Sequence, residues 1–317
     1  MNNSIRHFMR KYATQLLLLA VLLLLCIVLS MASNSFLNLK NAKNILEAIT
    51  FRLILAVGMS FVVASGGIDL SAGSMVSLCG VLTAMALKAG CPAWAALILA
   101  LLLGVALGGA NGAVIHHSHL SPFIVTLSTA SLYRGLSLIL TLGVPISLLP
   151  QDFLFFGRSD VDKLNPPIVM AALVFAIAWV VLFRTKCGTY ILALGGNAEA
   201  LRRSGVRCGV YRTITYAISG MTAALTAVIT IARLNSAEAN AGLNMELDAI
   251  TAVIMGGTLL SGGKASLWGT FIAVLLLGVM RNGLTILSIS PYYQQFIIGA
   301  LLLFSVLFAE WRRRRAS

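Results

Sequence analysis

Apolar residues fall along the chain in blocks of about 17 to 25, divided by short polar stretches. A block of that length crosses a hydrocarbon core of roughly 30 Å as a helix. Ten blocks read as spans: residues 14–31, 49–65, 73–89, 92–115, 122–142, 166–183, 211–232, 247–261, 266–287 and 292–309. Helices are expected rather than open strands because lipid offers no partner for an unpaired backbone amide. The pattern predicts an all-α, polytopic membrane bundle, one transmembrane domain over residues 1–317, with some helices broken or re-entrant. The first block follows Arg10 and Lys11 and ends near the small residues Ser30 and Ala32, as a secretory signal would, but its uninterrupted length favours a retained first helix.

Composition sharpens this picture. The chain is 59% hydrophobic and 10% charged, with mean hydropathy +0.93, whereas soluble domains carry roughly 25% charged residues. The net charge of +13 in a soluble protein would point to nucleic acid. Here the basic residues cluster beside spans, as Arg6, Arg10 and Lys11, then Arg202, Arg203, Arg207 and Arg212, then Arg312 to Arg315. Membrane lipid is therefore the expected partner of these clusters, and nucleic acid is not. With an even span count and the N-terminus inside, inner loops hold fourteen Lys and Arg residues and outer loops six. That asymmetry predicts both termini in the cytoplasm.

Signatures of catalysis are missing. The five cysteines lack metal or redox spacing. His116, His117 and His119 fall in what reads as a short inner loop, and adjacent histidines on a regular helix do not all address one ion. The segment GTLLSGGKAS, residues 257–266, has the wrong spacing for a phosphate-binding loop and carries Ala265 where Ser or Thr is needed. No catalytic residue, cofactor or metal is expected, and this chain should not itself bind ATP.

Polar breaks between spans carry more information. Residues 66–73, GGIDLSAG, and 256–263, GGTLLSGG, both read G-G-x-x-L-S-x-G at an offset of 190. Six expected spans lie between them, so the copies face the same way and form a parallel internal repeat, with chance likeness of small-residue stretches as the alternative. Gly66, Gly67, Asp69, Ser71, Gly73, Gly256, Gly257, Ser261 and Gly263 are the candidate helix-break or translocation-path residues. Asp69 either shapes the break, by capping the next helix, or faces the path. Arg52, Arg134 and Arg281 also lie at or near bilayer depth, where charge is costly. Arg52 reads as snorkelling to an interface; Arg134 and Arg281 leave interior pairing and snorkelling open.

A second polar stretch, ALGGNAEALRRSGV at residues 193–206, sits in the longest inner loop, about residues 184–210. Asn197 can cap a helix, Glu199 sits in its first turn and Gly205 can end it, so a two-turn surface helix is predicted. An ordinary connector is the alternative.

The chain resembles the permease subunits of ribose-, xylose- and galactose-type ABC importers. The likeness rests on ILAVGMSFVVASGGIDLSAGS at 54–74, TLSTASLYRG at 126–135, ALGGNAEALRRSGV at 193–206, ARLNSAEANAGLNMELDAITAVIMGGTLLSGGKAS at 232–266 and SPYYQQF at 290–296, in that order. Ala72, Arg203, Asn244, Met245 and Leu259 depart from the usual pattern. The resemblance implies a monosaccharide permease of the bacterial inner membrane. It pairs with a second permease copy, carries a separate ABC-type ATPase and receives sugar from a periplasmic binding protein. It also makes residues 195–205 the ATPase-coupling helix, with Gly195, Gly196, Asn197, Glu199, Arg202, Arg203, Ser204 and Gly205 as its residues. The rival from another class is an ion- or proton-coupled secondary transporter using Asp69 or Asp248.

Overall fold

A computed structural model describes residues 13–158 and 165–290, together with 292–294, 296, 297, 299, 300 and 303. Its longer helices are α1 (Ala13–Ala32), α2 (Leu39–Ala64), α3 (Ala72–Lys88), α4 (Ala93–Ser118) and α5 (Pro122–Thr141). A two-residue strand β1 (Ile146–Ser147) and a single turn α6 (Gln151–Leu154) precede α7 (Pro166–Arg184), α8 (Lys186–Arg203) and α9 (Cys208–Leu234). Then come β2 (Ser236–Ala237), which pairs antiparallel with β1, and α10 (Met245–Met255) and α11 (Leu267–Ile286).

Seven described helices are long and apolar enough to cross a membrane: α1, α2, α4, α5, α7, α9 and α11. The apolar α3 has 17 residues and α10 only 11. Burial separates centre from periphery. In α2 and α9, 78% and 67% of the most apolar stretch is buried, against 17% to 22% in α1, α4, α5 and α7. The outer helices turn Leu102, Leu132, Ile139 and Ile177 outward, which a soluble protein would not tolerate over so wide a surface.

Several boundaries differ from the sequence pattern, each for a local reason. α2 starts ten residues before its expected 49, because Asn38 caps it through the Lys40 amide at 3.0 Å and Asn41 pairs with Asn282 of α11. These polar turns are invisible to a search for apolar blocks. α4 continues through His116 and His117 to Ser118, with His119 as its left-handed cap, so two of the three histidines are helical rather than in a loop. Gly209 leaves room for the His116 ring, which a Cβ there would overlap. α10 stops at Met255 instead of 261, since Gly257 at φ +93° reverses the chain. The expected two-turn helix at 195–205 is the second part of the longer α8, which breaks at Asn197. The tenth expected span, 292–309, and both basic chain ends lie largely or wholly outside the described residues.

Candidate functional site

The end of α2 shows how the sequence makes a helix break. Ser65 is the cap, Gly66 takes φ +78°, and the amides of Gly66 and Gly67 bond back to the Val63 and Val62 carbonyls at 2.9 and 3.0 Å. That is the Schellman pattern, which needs a residue without a Cβ at the left-handed position. α10 ends the same way, with Gly256 as cap, Gly257 left-handed, and the Gly257 and Thr258 amides on Ile254 and Val253. By these bonds Ser65–Gly66–Gly67 corresponds to Gly256–Gly257–Thr258, one residue away from the register of the GGxxLSxG alignment. The second break is also longer, running to the cap Ser266, whereas the first runs to Ser71.

Asp69 sits inside the first break, fully buried with Ser71. Its Oδ1 accepts from the Ser71 amide and hydroxyl at 3.0 and 2.6 Å, and its Oδ2 accepts from the Ser219 hydroxyl of α9 at 2.7 Å. Asn111 of α4 donates to Ser71 Oγ at 2.8 Å, and Tyr133 of α5 donates to Asn111 Oδ1 at 3.1 Å. The Tyr216 hydroxyl of α9 donates to the Ile68 carbonyl at 3.2 Å. The break is thereby tied to three helices, with Asp69, Ser71, Asn111 and Ser219 buried and Tyr133 partly so, and the bonds of Asp69 are those that hold the shape of a break. Ser219, Asn111, Tyr133 and Tyr216 escaped the sequence reading because they are ordinary polar residues, 40 to 150 positions away from Asp69 or Ser71. Asp69→Ala removes three accepted bonds and strands two buried hydroxyls, an expected cost of roughly 1–3 kcal/mol. Thermal unfolding in detergent checks this: a clear fall for Asp69→Ala with a smaller one for Asp69→Asn is expected, and equal stability of all three forms would refute it.

Gly73, the last residue of the first motif, lets the segment before α10 approach closely. A Cβ there would overlap the Gly242 carbonyl and the Glu246 carboxylate. Arg134 fastens the same segment, donating from Nη1 to the Ala239 and Ala241 carbonyls at 2.7 and 2.9 Å. Arg52 does not snorkel freely; its guanidinium lies 3.7 Å from Asp248, whose two oxygens accept from Arg281 Nη2 at 2.7 and 2.8 Å.

In α8 the break falls at Asn197, with φ −157° and ψ 91°, and the Asn197 side chain accepts from the Ala200 amide at 2.9 Å. The short second part carries Glu199 bonded to both Arg202 and Arg203, all three exposed, and these guanidiniums hold the Glu199 carboxyl below its usual range. Ser204 caps the helix end and Gly205 follows at φ +83° with open space around it. Just before the break, Gly195 packs between the other two polar segments. Its Cα lies against Gly66 and Gly262, and the Gly263 amide donates to the Ala64 carbonyl at 2.9 Å. Of the second motif, Gly256, Gly257 and Gly263 thus form the turn and this junction, while the Ser261 side chain stays exposed at the surface of the turn.

Among the described residues no cluster of three or more His, Cys, Asp or Glu side chains could hold a metal ion. The site is an assembly of helix breaks around buried hydrogen bonds and one exposed capped helix.

Comparison with known proteins gives this geometry its context. A family profile described as "Branched-chain amino acid transport system / permease component" matches residues 41–306. Ribose import permease protein RbsC of Escherichia coli (strain K12) is 37% identical over 306 residues, 95% of each chain. The protein of the same name from Haemophilus influenzae is 39% identical over 290 residues, 90% of each chain. The D-allose transport system permease protein AlsC of Escherichia coli (strain K12) is 34% identical over 300 residues, covering 94% of this chain and 91% of its own. No solved structure matches the chain. With a profile spanning both helix breaks and α8, and relatives alike from end to end, the chain belongs to the permease-component family of binding-protein-dependent ABC importers.

Proposed function

We propose that this chain is the membrane-spanning subunit of an ATP-driven importer that carries a monosaccharide, a pentose or hexose, across the bacterial inner membrane. The observation that carries the reading is the agreement of the relatives: import permeases named for ribose, allose and galactose match nearly the whole chain at 32% to 39% identity. A neutral polyol is bound through hydroxyls, amides and backbone groups rather than through charge. Against the ion-coupled alternative stand the relatives, all of them sugar import or sugar transport permeases. ATP hydrolysis is assigned to a separate ABC-type ATPase, sugar delivery to a periplasmic binding protein, and the full channel to a pair of permease copies. The charge asymmetry of the loops supports both termini on the cytoplasmic side of a ten-span chain, and the like ends of α2 and α10 support the two breaks as halves of a parallel repeat.

In this reading Gly195 to Gly205 is the coupling helix. Its support is an exposed, capped helix bearing a Glu–Arg–Arg cluster, joined to a bundle that is otherwise apolar. The test uses cells lacking the chain, complemented with wild type, Arg202→Glu or Gly205→Val, and measures uptake of labelled D-ribose, D-allose and D-galactose beside co-purification of the ATPase. Wild type should restore uptake of one sugar. Arg202→Glu places a like charge beside Glu199 and should weaken ATPase association without affecting insertion. Gly205→Val forces a Cβ into a left-handed conformation at a cost of about 1 kcal/mol or more and should loosen the helix end. Failure to restore any sugar overturns the transport reading; normal association and uptake in both variants overturns the coupling reading alone.

A further inference from the structure

The three glycine-bearing segments that end α2, interrupt α8 and follow α10 are far apart in sequence but meet backbone to backbone. A Cβ on Gly195 would overlap the Ala64 carbonyl oxygen and lie 2.6 Å from the Gly263 nitrogen and 3.0 Å from the Gly262 Cα. A Cβ on Gly262 would stand 2.7 Å from the Gly195 Cα and 2.8 Å from the Gly66 nitrogen, and one on Gly263 would stand 2.9 Å from the Gly196 Cα. The Gly263 amide closes the group on the Ala64 carbonyl. Gly66, Gly262 and Gly263 all have φ near +80°, so none of the three admits a side chain without strain. Such an arrangement has no slack: backbones in contact cannot absorb a displacement by changing rotamers, so packed elements of this kind move together.

We infer that Gly195, Gly262, Gly263 and Ala64 form a junction that fixes the α8 break to both membrane helix breaks, so that these three elements move as one body when the exposed end of α8 is displaced. This rests on the reading of residues 195–205 as the coupling helix and adds to it the route inward. The first break leads to Asp69 and its bonds to α9, α4 and α5. The second leads through Thr258 Oγ1, which accepts from the Ser266 amide, to the cap of α11. A displacement at Arg202 or Arg203 therefore reaches both halves of the bundle through one group of backbone atoms. The positioning residue is Gly195; its neighbour Gly196 is the control, since a Cβ there finds only the Gly263 Cα, at an ordinary 3.7 Å.

The experiment uses the full assembly of permease, ATPase and binding protein in proteoliposomes, with labelled D-ribose, D-allose and D-galactose as probes. ATP hydrolysed and sugar imported are measured together. For Gly195→Ala, ATPase association and hydrolysis should persist while sugar imported per ATP falls roughly 5- to 150-fold, the range of ordinary coupling free energies. Gly196→Ala should match wild type. Wild-type coupling in Gly195→Ala, or a loss of coupling in Gly196→Ala as deep as that in Gly195→Ala, overturns the junction. Neither result bears on whether α8 docks the ATPase, which Arg202→Glu decides by loss or retention of association.

Discussion

Replacing Gly220 by leucine is expected to abolish the folded bundle, leaving little or no monodisperse protein after extraction into detergent. α4 and α9 make the most extensive contact among the described helices, and they run antiparallel with glycine facing glycine. A Cβ on Gly104 would overlap the Gly220 carbonyl, one on Gly220 would overlap the Gly104 carbonyl, and one on Gly108 would overlap the Tyr216 carbonyl. Gly112 continues the series: a Cβ there would stand 2.6 Å from the Thr213 Cα. The spacing of four residues keeps these positions on one helix face. In lipid, helices associate through close packing rather than through hydrophobic expulsion of water, so small residues at the seam supply the attraction. A larger side chain meets backbone that cannot rotate away. The cost exceeds the 1–3 kcal/mol usual for overpacking a deformable core. Gly109 lies on the same helix but faces away; a Cβ there meets only the Ala217 Cβ at 3.9 Å. Gly109→Ala should therefore be neutral or slightly stabilising, because alanine is the better helix former by about 1 kcal/mol. Size-exclusion profiles of both variants check the pair, and a Gly220→Leu protein that elutes like wild type would refute the seam.

That seam was present in the sequence as Gly104, Gly108 and Gly112 at four-residue intervals, and the apolar-block pattern passed over it because glycine counts neither for nor against a span. Length and hydropathy are local properties, so the helix cores among the described residues were legible from them. They did not reach the polar first turns of α2, where capping and an Asn41–Asn282 pair replace hydropathy. The capped helix after Asn197 and the left-handed Gly205 were legible because capping chemistry is also local. The meeting of Gly66, Gly195 and Gly262 was not, since nothing in any one segment says which other backbone it touches. Asp69 shows the same division: its place in a break could be read from the flanking glycines, whereas its bond to Ser219 spans 150 positions.

The ionisable residues lead to the second large effect. Asp248, at the start of α10, stands between two guanidiniums, bonded to Arg281 through both oxygens and 3.7 Å from Arg52. All three side chains are mostly buried, with 15%, 28% and 21% of their surface exposed. The sum is one positive charge in excess, and this sets the order of the mutational costs. Removing Arg52 leaves a balanced pair. Removing Asp248 leaves two guanidiniums side by side in a mostly buried site, and breaking a buried pair costs about 3–5 kcal/mol. Asp248→Ala is therefore expected to lower the thermal midpoint well below that of Arg52→Leu. Adding Arg52→Leu to Asp248→Ala should recover part of the loss, because one of the two unpaired charges goes with it. Additive losses in the double variant would mean that the three groups do not share one electrostatic balance. Asp248→Asn keeps an acceptor for Arg281 but not the charge, so it should fall between wild type and Asp248→Ala. Differential scanning of the four purified variants beside wild type gives the order directly, and Asp248→Ala as stable as Arg52→Leu would remove the carboxylate from its place as the shared counter-ion of α2 and α11.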